Sequence, residues 1–276
     1  MQATRRHPGN GAGKILRRWR TARGLTQFDL AARAGCSARH LSFIETGRSI
    51  PSRQAVLELS EALDVPLREC NRLLEAAGHA AEFRSTPLAS SDMTAIRGVL
   101  QFILDRHLPY PAVILDRHSN CIQGNGGSRR LLARFVDPAL LPLHANHLRV
   151  VFHPSGLKRF IVNWPEVGRH LLQRAEREFG GEADAEGTAL LEELRGYAAD
   201  ISFVPPHPLE PADLLLPIHI RQGAFELRLF STIMGLGSPQ DITLQELRIE
   251  SFFPADARSE RAWAELAATD DDALMR

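Results

Sequence analysis

Leu25 to Ser52, LTQFDLAARAGCSARHLSFIETGRSIPS, reads as two short helices joined by a tight turn. Thr26 stands before an apolar-periodic run and Asp29 follows three residues later, so the Thr26 hydroxyl can cap the free amides of a helix starting near Gln27. Leu30, Ala31 and Ala34 supply its inward stripe, and Gly35, the residue most able to take a positive φ, ends it. Ser37 then caps a second helix. Leu41 and Ile44 turn inward on that helix, and at about 100° per residue Arg39, Ser42, Phe43 and Thr46 fall on the opposite side.

That outward face carries the first functional signal. An aromatic beside an arginine is poor solubility chemistry, but it suits the major groove of double-stranded DNA, where apolar groups meet thymine methyls and arginine meets guanine. The bland alternative is a capped helical hairpin in any all-α domain, with Phe43 under a neighbour. The flanks argue for a complete module. Lys14 to Arg23 places Ile15, Leu16 and Trp19 on one face among four arginines, and Gly24 stops it. Ser52 to Leu63 is a further amphipathic helix with Val56, Leu59 and Leu63 inward, and a fifth runs from about Leu67 to Ala77 before Gly78. Five such helices can enclose one small core.

With these caps, turn glycine and core positions in place, Lys14 to Gly78 resembles the phage-repressor and Cro-like helix-turn-helix family. The resemblance implies an all-α five-helix, lambda-repressor-like DNA-binding domain. It implies that Gln27 bonds a DNA phosphate at a helix N-terminus, that Ser37, Ala38, Arg39 and Phe43 occupy base-edge positions, and that Arg48 contacts phosphate. Ser42 and Thr46 share the outward face and join the DNA-facing set. The resemblance further implies a pairing of Arg20 with Glu45. Ala38 departs from the glutamine often found there in phage repressors, so no operator sequence carries across.

The chain of 276 residues is too long for this module alone, and one further domain is expected. Net charge is zero but uneven. Residues 1–84 hold 14 Lys plus Arg against 8 Asp plus Glu, and the remainder holds 19 against 25. The basic part is the one bearing the helix-turn-helix, which strengthens phosphate contacts and makes binding fall with salt. Cys36, Cys70 and Cys121 are odd in number, widely spaced and without a CxxC pair, so neither a disulfide framework nor a cysteine zinc site is indicated. The N-terminal MQATRRHPGNGAGK lacks an apolar leader core, and no run approaches membrane-spanning length, so a cytoplasmic protein without membrane attachment is expected.

The domain plan expected from composition is a disordered tail over 1–12, the helix-turn-helix domain over 13–80, a linker over 81–92 rich in Ser, Pro and Ala, a second domain over 93–258, and a C-terminal tail over 259–276. In the second domain the pattern predicts a helix from Met93 to His107, short strands at Pro111 to Asp116 and Cys121 to Gly124, and helices near 127–135, 166–179 and 187–197. Three strands follow, at Leu214 to Ile220, Ala224 to Thr232 and Glu246 to Phe253. In FELRLF, Phe225, Leu227 and Leu229 share one face and Glu226 and Arg228 the other, as a half-buried antiparallel strand requires. The result is an α+β PAS-like domain with an antiparallel sheet.

Phe152 to Leu172, FHPSGLKRFIVNWPEVGRHLL, and Leu229 to Asp256, LFSTIMGLGSPQDITLQELRIESFFPAD, are similar to the MmyB-like ligand-binding domain of bacterial transcription regulators. This second resemblance covers roughly Met93 to Asp256. It implies a PAS-like fold enclosing a small apolar ligand, with fatty acids the ligand class it suggests. Met234 to Gly237 departs from the family's usual Ala-Thr-Phe-Gly, so ligand size or shape can differ. Phe152, Phe160, Trp164, Phe230 and Phe252 are the candidate cavity-lining aromatics, with core filling as the alternative. Arg159 or Arg228 is the candidate clamp for a carboxylate head group, with a solvated surface role as the alternative.

Enzyme and metal readings find little support. His144, His147 and His153 give an HxxH and a third histidine, but prolines bracket the segment and no glutamate follows His144 as a zinc-peptidase helix requires. GNGG at Gly124 to Gly127 lacks the lysine of a phosphate loop. No nucleophile triad, metal or cofactor is expected. The sequence therefore reads as a DNA-binding transcription regulator, acting as a homodimer, whose C-terminal domain senses a small apolar ligand. The alternative is a C-terminal domain that only dimerises or docks a protein partner.

Overall fold

The computed structural model describes residues 9–137, 146–179, 184–201 and 216–268. In chain order the elements are α1 (Gly9–Ala22), α2 (Gln27–Arg33), α3 (Ala38–Glu45), α4 (Arg53–Ala62), α5 (Leu67–Ala76), α6 (Thr94–Arg106), β1 (Ala112–Leu115), β2 (Cys121–Gly124), α7 (Gly126–Phe135), α8 (His147–Phe152), α9 (Trp164–Phe179), α10 (Ala185–Tyr197), β3 (Ile218–Gln222), β4 (Phe225–Met234), α11 (Ile242–Glu246), β5 (Arg248–Pro254) and α12 (Ala257–Ala268). Two compact units result: Met1–Ser90 with Leu236–Gln245, and Ser91–Gly235 with Glu246–Arg276.

In the first unit local signals do most of the work. Thr26 and Asp29 form a reciprocal capping box at the start of α2: the Asp29 amide donates to Thr26 Oγ1 at 3.1 Å, and the Thr26 amide to Asp29 Oδ2 at 3.0 Å. Ser37 accepts from the His40 amide at 3.1 Å and Ser52 from the Ala55 amide at 3.2 Å, starting α3 and α4. Gly35, at φ +66°, makes the turn between α2 and α3. Leu16, Leu30, Leu41, Ile44, Val56, Leu59, Leu73 and Leu74 meet in one core. The close approach of α1 to α3 needs Gly13: a methyl there would overlap the Ile44 carbonyl oxygen and lie 3.1 Å from Glu45 Cα.

Two expectations at the margins of this unit are corrected. The tail expected over 1–12 is helical from Gly9, because Ala12 is buried in the five-helix core. The stretch expected as a linker is anchored rather than free: Asn71 Oδ1 accepts from the Glu82 and Phe83 amides, at 2.9 and 3.0 Å, its Nδ2 donates to the Phe83 carbonyl, and Phe83 packs on the core. Leu236–Gln245, which lies between β4 and β5 in sequence, also belongs here. The Ile242 amide donates to the Arg84 carbonyl at 2.8 Å, and the Thr86 amide and hydroxyl donate to Asp241 Oδ2 at 3.1 and 2.7 Å. Helix α5 follows Pro66, which offers no side-chain cap, and the Leu67 amide instead donates to Gln245 Oε1 at 2.7 Å.

The second unit is built on a five-stranded antiparallel sheet of order β2-β1-β5-β4-β3. Its β3–β4 hairpin turns at Gly223 and pairs Ile220 with Leu227 and Ile218 with Leu229. Sheet residues Val113, Ile220, Leu227, Leu229 and Phe252 share a core with Leu131 and Phe135 of α7, Val151 and Phe152 of α8, Leu171 of α9 and Leu194 of α10. Asn125, within the GNGG stretch, is a structural staple: its Oδ1 accepts from the Ala112 and Ser128 amides, and its Nδ2 donates to the Tyr110 carbonyl at 2.8 Å. The expected C-terminal tail is corrected too, since 257–268 forms α12. Trp263 of α12 is fully buried and donates to the Pro109 carbonyl at 3.1 Å.

Candidate nucleic-acid interface and sensor cavity

The outward face of α3 is partly open. Ser37, Arg39, Thr46 and Arg48 are exposed, while Ala38, Ser42 and Phe43 are half-buried. Arg39 lies over the Phe43 ring, 5.4 Å from its centroid, so an aromatic and a cation are presented together and the ring keeps one covered side. Thr46 caps the C-terminal end of α3, its hydroxyl donating to the Ser42 carbonyl at 2.7 Å; it keeps acceptor capacity only. Gln27 is half-buried at the start of α2, and its Nε2 donates to Glu45 Oε2 at 2.8 Å. That bond holds the amide at the N-terminal end of α2.

Behind this face lies an ion pair. Arg20 Nε donates to Glu45 Oε1 at 2.6 Å and Arg20 Nη2 to Glu45 Oε2 at 2.9 Å, while Arg20 Nη1 bonds the Leu25 carbonyl that leads into α2. Burial alone would raise the Glu45 pKa, but hydrogen bonds from Arg20 and Gln27 and the nearby guanidinium charges outweigh it and hold the carboxyl below its usual range. One carboxylate thus ties α1, α2 and α3 together and fixes the angle of the outward face.

The second unit encloses a cavity of about 500 Å³. Its walls are mostly apolar, from Val113 of β1, Leu131 and Leu132 of α7, Val150 and Val151 of α8, Val167 and Leu171 of α9, and Ile218, Ile220 and Leu229 of the β3–β4 hairpin. Of the five aromatic residues expected to line it, Phe230 and Phe252 do. Phe152, Phe160 and Trp164 do not and are corrected to packing roles: Phe152 is fully buried against Trp164 in an edge-on contact at 5.0 Å, and Phe160 lies tilted against Phe135 at 5.2 Å. A large apolar side chain on a helix end reads the same in sequence whether it borders a void or fills one.

Polar groups gather on part of the wall: His147, His170, Arg174, Ser231 and Glu250. Ser231 Oγ donates to Glu250 Oε1 at 2.8 Å, and Arg174 Nη2 stands 3.5 Å and His147 Nε2 3.9 Å from Glu250 Oε2. Burial first, and then Arg174, lower the pKa of both imidazoles, against a raising pull of Glu250 on His147. Neither Arg159 nor Arg228, the arginines expected to hold a head group, lines the cavity. Arg159 is exposed over the Phe160 ring and Arg228 is exposed on β4; the cavity arginine is Arg174. Arg174 sits one residue before Ala175 on α9, and nothing in the local sequence marks it as a cavity group. Of the histidines weighed as metal ligands, His147 is in this wall, His153 bonds the Ser155 amide, and His144 lies outside the described residues.

Comparison with known proteins gives a family match for each unit. Residues 96–266 match the MmyB-like transcription regulator ligand binding domain, and residues 12–73 match a helix-turn-helix domain. Uncharacterized HTH-type transcriptional regulators of Mycobacterium bovis and Mycobacterium tuberculosis are 35% identical over 97 residues, 35% of this chain and 38% of theirs. The endothelial differentiation-related factor 1 of Rattus norvegicus is 36% identical over 56 residues, 20% of this chain and 38% of its own. The chain therefore spans about two fifths of the length of the curated relatives it matches. Among solved structures, the restriction-modification controller protein C.AhdI of Aeromonas hydrophila is 35% identical over 22% of this chain and 94% of its own, at a TM-score of 0.22. The clp gene regulator ClgR of Corynebacterium glutamicum is 31% identical over 26% of this chain and 90% of its own, at a TM-score of 0.23.

A helix-turn-helix unit is thus followed by a cavity-bearing α+β unit, the pair of domains that the two family matches cover. Over residues 96–266 the chain belongs to the MmyB-like transcription regulator ligand binding domain family.

Proposed function

We propose that this protein binds operator DNA as a cytoplasmic homodimer through α3 and that a small apolar molecule in the cavity of the second unit sets its affinity for DNA. The observation that carries the reading is the cavity itself: a space of about 500 Å³ with mostly apolar walls is kept in a domain in which close packing is the rule. A fatty-acid-sized chain is the class of molecule such a wall suits. On the DNA side, Arg39 and Phe43 read base edges with Ser37, Ala38 and Ser42 beside them, and Gln27, Thr46 and Arg48 position the backbone. One module offers little specificity, and two half-sites a helical turn apart gain from tethering.

Regulation is linkage: a ligand shifts DNA affinity only by the difference in its affinity for the two states of the protein. Chain connectivity supplies a physical route. Strands β4 and β5 contribute Phe230, Ser231, Glu250 and Phe252 to the cavity wall, and the segment joining them, Leu236–Gln245, is hydrogen-bonded into the first unit through Asp241, Ile242 and Gln245. The test is selection of bound duplexes from random DNA by the full chain, with and without a cell lipid extract, followed by native mass spectrometry of the purified protein. Enrichment of a two-fold symmetric site and a co-purified lipid support the reading. A protein that ignores duplexes at low ionic strength rejects the DNA arm, and a cavity that takes no lipid rejects the sensor arm.

A further inference from the structure

The polar patch in the cavity wall constrains what the ligand's polar end is. Glu250 sits on β5 with its side chain almost completely buried, at 3% exposure, and its Oε2 has no hydrogen-bond partner among the described residues. Its Oε1 is already engaged by the Ser231 hydroxyl. Among the described residues the arginine facing Oε2 is Arg174, whose Nη2 stands at 3.5 Å, beyond a good charge-assisted hydrogen bond, and whose Nε also faces Glu178 at 4.0 Å. His147 is farther still, at 3.9 Å. A carboxylate oxygen buried against a cavity without a donor is costly to leave so, and a donor relieves it.

Ligand chemistries differ in what they bring to that oxygen. A fatty-acid carboxylate is acceptor-only, and would set a second negative group against Glu250 and compete with it for Arg174. An alkylammonium donates, but adds a positive charge beside Arg174. A hydroxyl donates without adding charge to the Arg174–Glu250 pair and its two neutral imidazoles, and can accept from Arg174 or His170 in turn.

We propose that the cavity selects a chain-like apolar molecule ending in an uncharged hydroxyl, a fatty alcohol or a chemically equivalent chain, whose O–H donates to Glu250 Oε2. The inference rests on the sensor reading above and names the ligand class of the same site. Its test is isothermal titration of the full chain with three probes of one chain length: 1-dodecanol, dodecanoate and dodecylammonium. The expected result is binding of 1-dodecanol roughly tenfold or more tighter than either charged probe. In Glu250→Gln, the amide oxygen can keep the Ser231 bond while an N–H replaces the free oxygen, so preference moves toward dodecanoate and the alcohol advantage disappears. Tighter binding of dodecanoate than of 1-dodecanol by the wild type, or an alcohol preference unchanged in Glu250→Gln, overturns the head-group assignment and leaves the apolar-ligand reading intact. Failure of all three probes to bind overturns that reading and this inference together. The wild-type ratio alone decides the matter should the variant not fold.

Discussion

Arg20 and Glu45, twenty-five residues apart, form a two-pronged ion pair in which Glu45 is almost wholly buried, at 2% exposure, and Arg20 nearly so, at 11%. The pair positions the reading face of α3 against α1. Removing one partner strands the other: Arg20→Met should destabilise the first unit by about 3 kcal/mol, with partial recovery in the Arg20→Met, Glu45→Met double variant. Thermal unfolding of the full chain, followed by circular dichroism, measures both.

The same carboxylate gives a pH dependence. Glu45 titrates below the usual glutamate range in the folded chain, so its contribution to stability is fully present above the unfolded-state pKa and is lost as pH falls through the lower native value. Glu45→Gln should be less stable than wild type at neutral pH, and the gap between them should close as the solution is acidified below the usual glutamate range. A gap that stays constant across this window contradicts the assignment.

Arg39 and Arg48 should behave differently when replaced. Arg39→Ala should cost about 1–3 kcal/mol on the selected site and relax base preference at one position. Arg48→Ala should weaken all sequences alike and reduce the salt slope by about one unit. Gel-shift titration over a range of salt distinguishes them, and unchanged base preference in Arg39→Ala rejects α3 as the reading helix.

Trp263 fastens α12 to the second unit through buried surface and its bond to the Pro109 carbonyl. Trp263→Ala should destabilise that unit by about 3–5 kcal/mol. The first unit should be untouched. Hydrogen exchange resolved by peptide would show faster exchange across the sheet and leave α1–α5 unchanged.

Asp241 holds the β4–β5 connector through Thr86. Asp241→Ala should speed hydrogen exchange across 236–245 and, by the linkage proposed above, shrink the effect of ligand on DNA affinity with little change in ligand affinity. Loss of ligand affinity instead would place Asp241's role in the cavity domain.

The parts most legible in the sequence were those fixed by short-range chemistry. Thr26 with Asp29, Gly35 and Ser37 state the helix ends in single residues, and the FELRLF alternation states the face of β4, because caps and strand pleat need no distant partner. What stayed hidden depends on partners far along the chain. Phe152 and Trp164 are core while Phe230 and Phe252 border the cavity, a distinction set by the void and not by the residue. Glu250 carries no local sign of burial within its strand, and the packing of α9 with Arg174 beside it is what makes it a cavity group. The anchoring of 236–245 rests on Asp241 and Gln245 meeting residues more than 150 positions earlier, which no local pattern encodes.

The central claim, that cavity occupancy sets DNA affinity, is tested most directly by fluorescence anisotropy of the selected duplex with wild type and with the cavity-filling variant Leu131→Trp, each with and without cell lipid extract. The account predicts that extract changes the wild-type Kd by at least about fivefold and leaves the filled variant unmoved. Equal Kd values for wild type with and without extract, in protein freed of bound lipid, would contradict it.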